Sequence, residues 1–107
     1  MGVTKTDLFT QEQNELAQMA KTIGHPARIA ILEYLIQADA CINSDLVQEL
    51  GLAQATISQH LKELKQMGLI KGNVEGTSMN YCINKQVWES YRAKFNTLFE
   101  SLPETCC

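Results

Sequence analysis

Three glycines, Gly24, Gly51 and Gly68, cut the first seventy residues into pieces of helical length. Within the pieces apolar residues recur at spacings of three and four, the pattern of amphipathic helices. Leu16, Met19, Ala20 and Ile23 predict a first helix starting near Thr6 or Thr10 and stopping at Ile23, with Gly24 as the residue that ends it. Pro26 suits the first turn of a second helix, about 26–38. Ile29, Ile31, Leu32, Leu35 and Ile36 make this helix apolar on more than one face, which predicts a central position. Asn43 or Ser44 can cap a short third helix carrying Leu46, Val47 and Leu50, closed by Gly51. A fourth, about 55–67, sets Ile57, Leu61 and Leu64 on one stripe and ends at Gly68.

Beyond Gly68 the period changes. Residues 69–74 and 79–83 read as two short strands joined across Glu75-Gly76-Thr77-Ser78, a hairpin. A last helix from about Gln86 to Ser101 carries Trp88, Tyr91, Phe95, Leu98 and Leu102 at helical spacing, and Pro103 stops it. The fold class expected is mainly α with a small β-hairpin wing, a single winged helix-turn-helix domain over 1–107 with a short flexible tail at 103–107. No apolar run approaches the roughly 20 residues of a membrane helix, so no membrane partner is expected. The first nine residues lack the apolar core of a secretion signal, which points to the cytoplasm.

A net charge of −3 looks wrong for a nucleic-acid binder, but the charge is unevenly spread. Residues 1–53 hold three bases against seven acids, whereas residues 54–85 hold four lysines against Glu63 and Glu75. An acidic total leaves room for a locally basic face. The second helix of a helix-turn-helix pair enters the major groove, and here its outer face offers Gln54, Ala55, Thr56, Ser58, Gln59, Lys62 and Lys65. Glutamine can read adenine bidentately, serine reaches bases or phosphate, and lysine contacts phosphate or guanine. Lys71, Thr77 and Ser78 put further contacts on the hairpin. Such faces are often merely solvated; the order of three helices, a fourth, a hairpin and a last helix is what favours DNA.

Residues 16–84 resemble the ArsR/SmtB family of small dimeric bacterial repressors. The matching stretches include Gly24-His25-Pro26-Ala27-Arg28, Gln54-Ala55-Thr56-Ile57-Ser58-Gln59-His60-Leu61, Lys65-Gln66-Met67-Gly68-Leu69-Ile70, and Glu75-Gly76 with Tyr81. The resemblance implies a DNA-binding homodimer joined through its first and last helices, released from an inverted-repeat operator by an inducer. The aromatic stripe of the last helix agrees, because one small domain would struggle to cover it. Leu16, Met19, Trp88, Tyr91, Phe95 and Leu98 are the expected interface residues. A two-fold pair would set two reading helices roughly 34–36 Å apart, one turn of DNA. Ala53 stands where the family usually has a capping serine. His25 and His60 fall in fold-forming stretches, so structural or DNA-contacting roles are expected of them in preference to metal ligation.

For the inducer, the resemblance implies two kinds of metal site. One uses the last helix of both subunits, and residues 85–102 hold no histidine for it. The other uses a Cys-x-Cys pair near the third helix; here Cys41-Ile42-Asn43 keeps only the first thiol. Cys106 and Cys107 offer a substitute, and three thiolates from Cys41, Cys106 and Cys107 would suit a soft three-coordinate ion, As(III) or Sb(III) first, Cu(I) or Cd(II) next. No cofactor is required for folding. A competing reading makes Cys41 and a tail cysteine a disulfide or polysulfide sensor. Cys82 is expected to pack in the hairpin. An enzyme is not expected, for the sequence has no phosphate-cradling glycine loop and no hydrolase or zinc-protease pattern. A winged helix serving only protein contacts is the remaining rival.

Overall fold

Helix α1 (Gln11–Ile23) opens on a capping box in the computed structural model, which describes residues 8–38, 50–75 and 78–105. Thr10 Oγ1 accepts from the Gln13 backbone N–H at 3.0 Å, and Gln13 Oε1 accepts from the Thr10 N–H at 2.9 Å. This satisfies two of the donors a helix start leaves open and fixes the later of the two expected starts. Gly24 closes α1 at φ −81°, which any residue adopts. Its glycine identity has another cause: a Cβ there would sit 2.8 Å from the Ala20 carbonyl oxygen.

Helix α2 (Pro26–Ala38) follows at once. His25 starts it, accepting the Ala27 N–H on Nδ1 at 3.0 Å. Ile31, Leu32 and Leu35 are buried as a central helix requires, yet Ile29 and Ile36 on its other side remain 42% and 47% exposed. They line an apolar cleft of about 330 Å³ against Trp88 and Phe95. The expected short helix near 44–50 lies outside the described residues except for Leu50, which is helical and half-buried.

Helix α3 (Gln54–Gln66) begins after Ala53, whose extended backbone supplies the cap geometry without a side-chain hydrogen bond. Ile57, Leu61 and Leu64 pack inward on one stripe. Gly68, at φ +79°, turns the chain in the left-handed region that glycine enters at no steric cost, and the Leu69 N–H returns to the Leu64 carbonyl. Strands β1 (Ile70–Glu75) and β2 (Ser78–Ile83) form an antiparallel pair in which Lys71 faces Cys82 and Gly72 faces Tyr81. Asn84 then caps α4 (Lys85–Glu100), its side-chain oxygen accepting from Val87 N–H. α3 packs on α2, α1 and β1, while α4 packs on α1.

The last helix divides its aromatic stripe. Tyr91, expected at a subunit interface, is 6% exposed and belongs to the core of its own chain. Its hydroxyl lies beside Thr22 without closing a hydrogen bond, and burial pushes it above the ordinary tyrosine range. Trp88, Phe95, Leu16 and Met19 are half-buried, whereas Leu98, Phe99 and Leu102 are 53%, 70% and 70% exposed. Leu8 and Phe9, ahead of α1, are exposed as well. Among the described residues no helix is long and apolar enough to cross a membrane.

Candidate nucleic-acid interface

The outer face of α3 is the polar surface anticipated above. Gln54, Ala55, Thr56, Ser58, Gln59, Lys62 and Lys65 are all exposed. Two links one helical turn apart order the face: Gln54 Nε2 donates to Ser58 Oγ at 3.1 Å, and Gln59 Nε2 donates to Glu63 Oε1 at 3.2 Å. Helical spacing therefore places amides, hydroxyls and ammonium groups along one side of a rod, the inventory suited to base edges and phosphates. Lys65 reaches the wing, its ammonium lying against Gly72 of β1, where an added Cβ would come within 3.1 Å of Nζ. Helix and hairpin thus form one continuous surface, with Lys71 exposed on the hairpin side. Thr77 lies outside the described residues, and Ser78 is placed only by its backbone pairing with Glu75.

His60 does not belong to that face. It is 8% exposed and turned into the body of the chain, because its place in the helix repeat lies beside Ile57, Leu61 and Leu64. There it meets Arg28, the residue whose role the sequence reading did not assign. The Arg28 guanidinium spends each nitrogen on a different partner: Nε donates to His60 Nδ1 at 3.0 Å, Nη1 donates to the Thr22 carbonyl at 2.9 Å, and Nη2 pairs with the Glu63 carboxylate. One side chain therefore ties the end of α1 and two points of α3 to α2. Arginine's planar fork serves such a junction and a lysine could not. The pairing offsets the charge of Glu63, whose carboxylate also accepts from Gln59, so Lys62 and Lys65 outweigh it on the outer face.

The imidazoles of His25 and His60 stand 4.4 Å apart, tilted by 53°. Burial holds the His60 imidazolium below the ordinary histidine range, and the neighbouring His25 and Arg28 push the same way. Both Nδ1 atoms are engaged as acceptors. Among the described residues no three histidine, cysteine or carboxylate side chains gather as a metal site would need. Cys41, Cys106 and Cys107, the expected thiolate ligands, lie outside the described residues. Cys82 was expected to be a packing residue; it is half-buried in β2 and disulfide-bonded, and Asn73 Nδ2 lies 3.7 Å from its sulfur.

A helical body presenting a polar rod beside a two-stranded wing defines the winged helix-turn-helix class. The comparisons with known proteins narrow that class. Residues 25–71 match the model of the arsR family of bacterial regulatory proteins. The chain is 32% identical over 80 residues to an uncharacterised HTH-type transcriptional regulator of Methanocaldococcus jannaschii, covering 74% of this chain and 90% of that one. It is 37% identical over 67 residues to an uncharacterised HTH-type regulator of Mycobacterium tuberculosis, 63% of this chain but only 59% of the relative's length. Its fold superposes on the transcriptional repressor BigR of Xylella fastidiosa with a TM-score of 0.64 at 25% identity, over 91% of this chain and 97% of that one. The chain belongs to the arsR family, a family of regulators and not of enzymes.

Proposed function

We propose that the chain is a transcriptional repressor that binds an inverted-repeat operator in double-stranded DNA as a homodimer in the cytoplasm. The observation that carries this reading is the exposed Gln54–Lys65 face of α3, continuous with the wing, its one acid paired with Arg28. Gln54, Ala55, Thr56, Ser58 and Gln59 meet base edges; Lys62, Lys65, Lys71, Thr77 and Ser78 hold the backbone. The exposed Leu98 and Phe99 of the last helix and Leu102 just beyond it, with Leu16 and Met19 of α1, supply the apolar surface that a second copy covers. Trp88 and Phe95 contribute from the half-buried part of the stripe.

The inducer in this reading is a thiophilic ion, As(III) or Sb(III), held by the thiolates of Cys41, Cys106 and Cys107 in the chain whose Cys82 disulfide is reduced. Three soft sulfur donors match the pyramidal coordination of such ions. A second reading is release by thiol oxidation or persulfide at Cys41 and a tail cysteine, and the disulfide-bonded state of Cys82 supports it.

A gel-shift titration with duplexes from the DNA upstream of the coding sequence tests both. Binding that weakens steeply with salt supports the operator reading, because phosphate contacts release counterions; no binding to any duplex overturns it. Release by arsenite that is abolished by Cys41→Ser, or by joint change of Cys106 and Cys107, supports the metalloid. Release by a persulfide donor or disulfide that is abolished by Cys41→Ser supports the redox reading instead.

A further inference from the structure

The junction behind the reading helix has a property that the DNA-binding reading does not use. A guanidinium only donates and stays charged at any pH a protein survives. Its bond to His60 at 3.0 Å therefore needs a lone pair on Nδ1, which an imidazolium lacks. Adding a proton to His60 exchanges a hydrogen bond for two cations in contact, in a place 8% open to water. The groups around it offer little compensation. His25 faces it from the α1–α2 turn and Arg28 from α2, while Lys21 of α1 lines the adjoining cleft, and β1 carries Lys71 near its start and Glu75 at its far end. Glu63, one turn along α3, is already held by Arg28.

We propose that Arg28 is the positioning residue of the reading helix, and that its grip requires an uncharged His60, so that acidification loosens α3 and weakens operator binding. The proposal rests on the operator reading above for its DNA readout. Its sign sets it apart from ordinary electrostatics. The chain has two histidines, both at this junction. Between about pH 5.5 and 7.5 histidines are the side chains that ordinarily gain charge, and added positive charge should tighten binding to a polyanion. The junction demands the opposite. The downward shift of His60 agrees: folding in its uncharged form is fully favoured above the ordinary value of 6.5 and is lost as pH falls through the lower folded value.

The test is operator affinity of the full chain at constant ionic strength from pH 7.5 to 5.5, for the wild type, His60→Gln and His25→Gln. A glutamine carbonyl can accept from Arg28 and does not titrate. The wild type and His25→Gln lose about tenfold in affinity on acidification, the worth of one charge-assisted hydrogen bond, and His60→Gln does not. Wild-type affinity that holds or rises in acid overturns the proposal, and so does a loss that persists in His60→Gln. A second measurement needs neither DNA nor a variant. The imidazole Cε1–H resonances of the free chain are titrated by NMR alongside amide protection in α3. His60 titrating below 6.5, with α3 protection falling over the same range, supports the junction; His60 titrating at 6.5 or above overturns it. Failure to bind any duplex at pH 7.5 would strike the operator reading alone, and the NMR titration would still decide this one.

Discussion

Replacing Arg28 by lysine keeps the charge and removes the fork, and the structure lets the cost be worked out. Three nitrogens contact His60, the Thr22 carbonyl and Glu63. A single ammonium at the end of a flexible chain can keep one of these at most. A lost hydrogen bond to a charged donor costs about 1.5–3 kcal/mol. The Glu63 contact counts for less, about 1 kcal/mol, because that carboxylate is 38% exposed and screened by water. With Thr22 or Glu63 retained, the substitution should cost about 3 kcal/mol. Urea unfolding at pH 7.5, followed by circular dichroism, reads this as a midpoint lowered by about 2 M for a slope near 1.5 kcal/mol per molar. A midpoint within error of the wild type would refute the claim that the fork, and not the charge, holds α3 in place.

Other consequences are quickly checked. Ala53→Ser restores a side-chain cap to α3, where none exists, and should raise stability by about 1 kcal/mol in thermal unfolding. Lys71→Gln should lower the salt slope of operator binding by about one without altering base preference, since a wing lysine on phosphate carries no sequence information. Joint change of Leu98 and Phe99 to glutamate should shift the chain from dimer to monomer in sedimentation, because those side chains are 53% and 70% exposed on the single copy.

The order of the described elements was legible because each boundary has a local chemical cause. The Pro26 turn and the reversal at Gly68 act within a few residues, so spacing alone revealed them, whereas the start of α1 stayed open between Thr6 and Thr10 until the Thr10 box fixed it. The outer face of α3 was legible for the same reason: helical period separates Ile57, Leu61 and Leu64 from the polar residues. Three features were not. His60 lies on the repeat of Ile57, Leu61 and Leu64, but what satisfies a polar ring there is Arg28, 32 positions away in the chain, and no local pattern records that partner. Tyr91 shares a stripe with Phe95 and Leu98, yet α1 covers the first and leaves the last open; no pattern within one helix records where a neighbour stops. Phe99, four residues beyond Phe95 and stacked on it, continues the stripe, yet the pattern of one helix did not show that it stands 70% exposed. In hindsight the motif Gly24-His25-Pro26-Ala27-Arg28 held the one available signal for the junction, a charged residue among otherwise apolar α2 neighbours.

The central claim is that the exposed side of α3 reads bases. Its most direct test is the base-preference profile of the operator, measured for the wild type and for Gln54→Ala, Ser58→Ala and Gln59→Ala in turn. Each substitution should relax preference at a discrete position of each half-site, by about 1–3 kcal/mol where a bidentate contact is lost, and leave other positions unchanged. Profiles identical in shape to the wild type, with affinity unchanged or uniformly lowered, would contradict the account and make that surface a solvated flank of a helix whose business lies elsewhere.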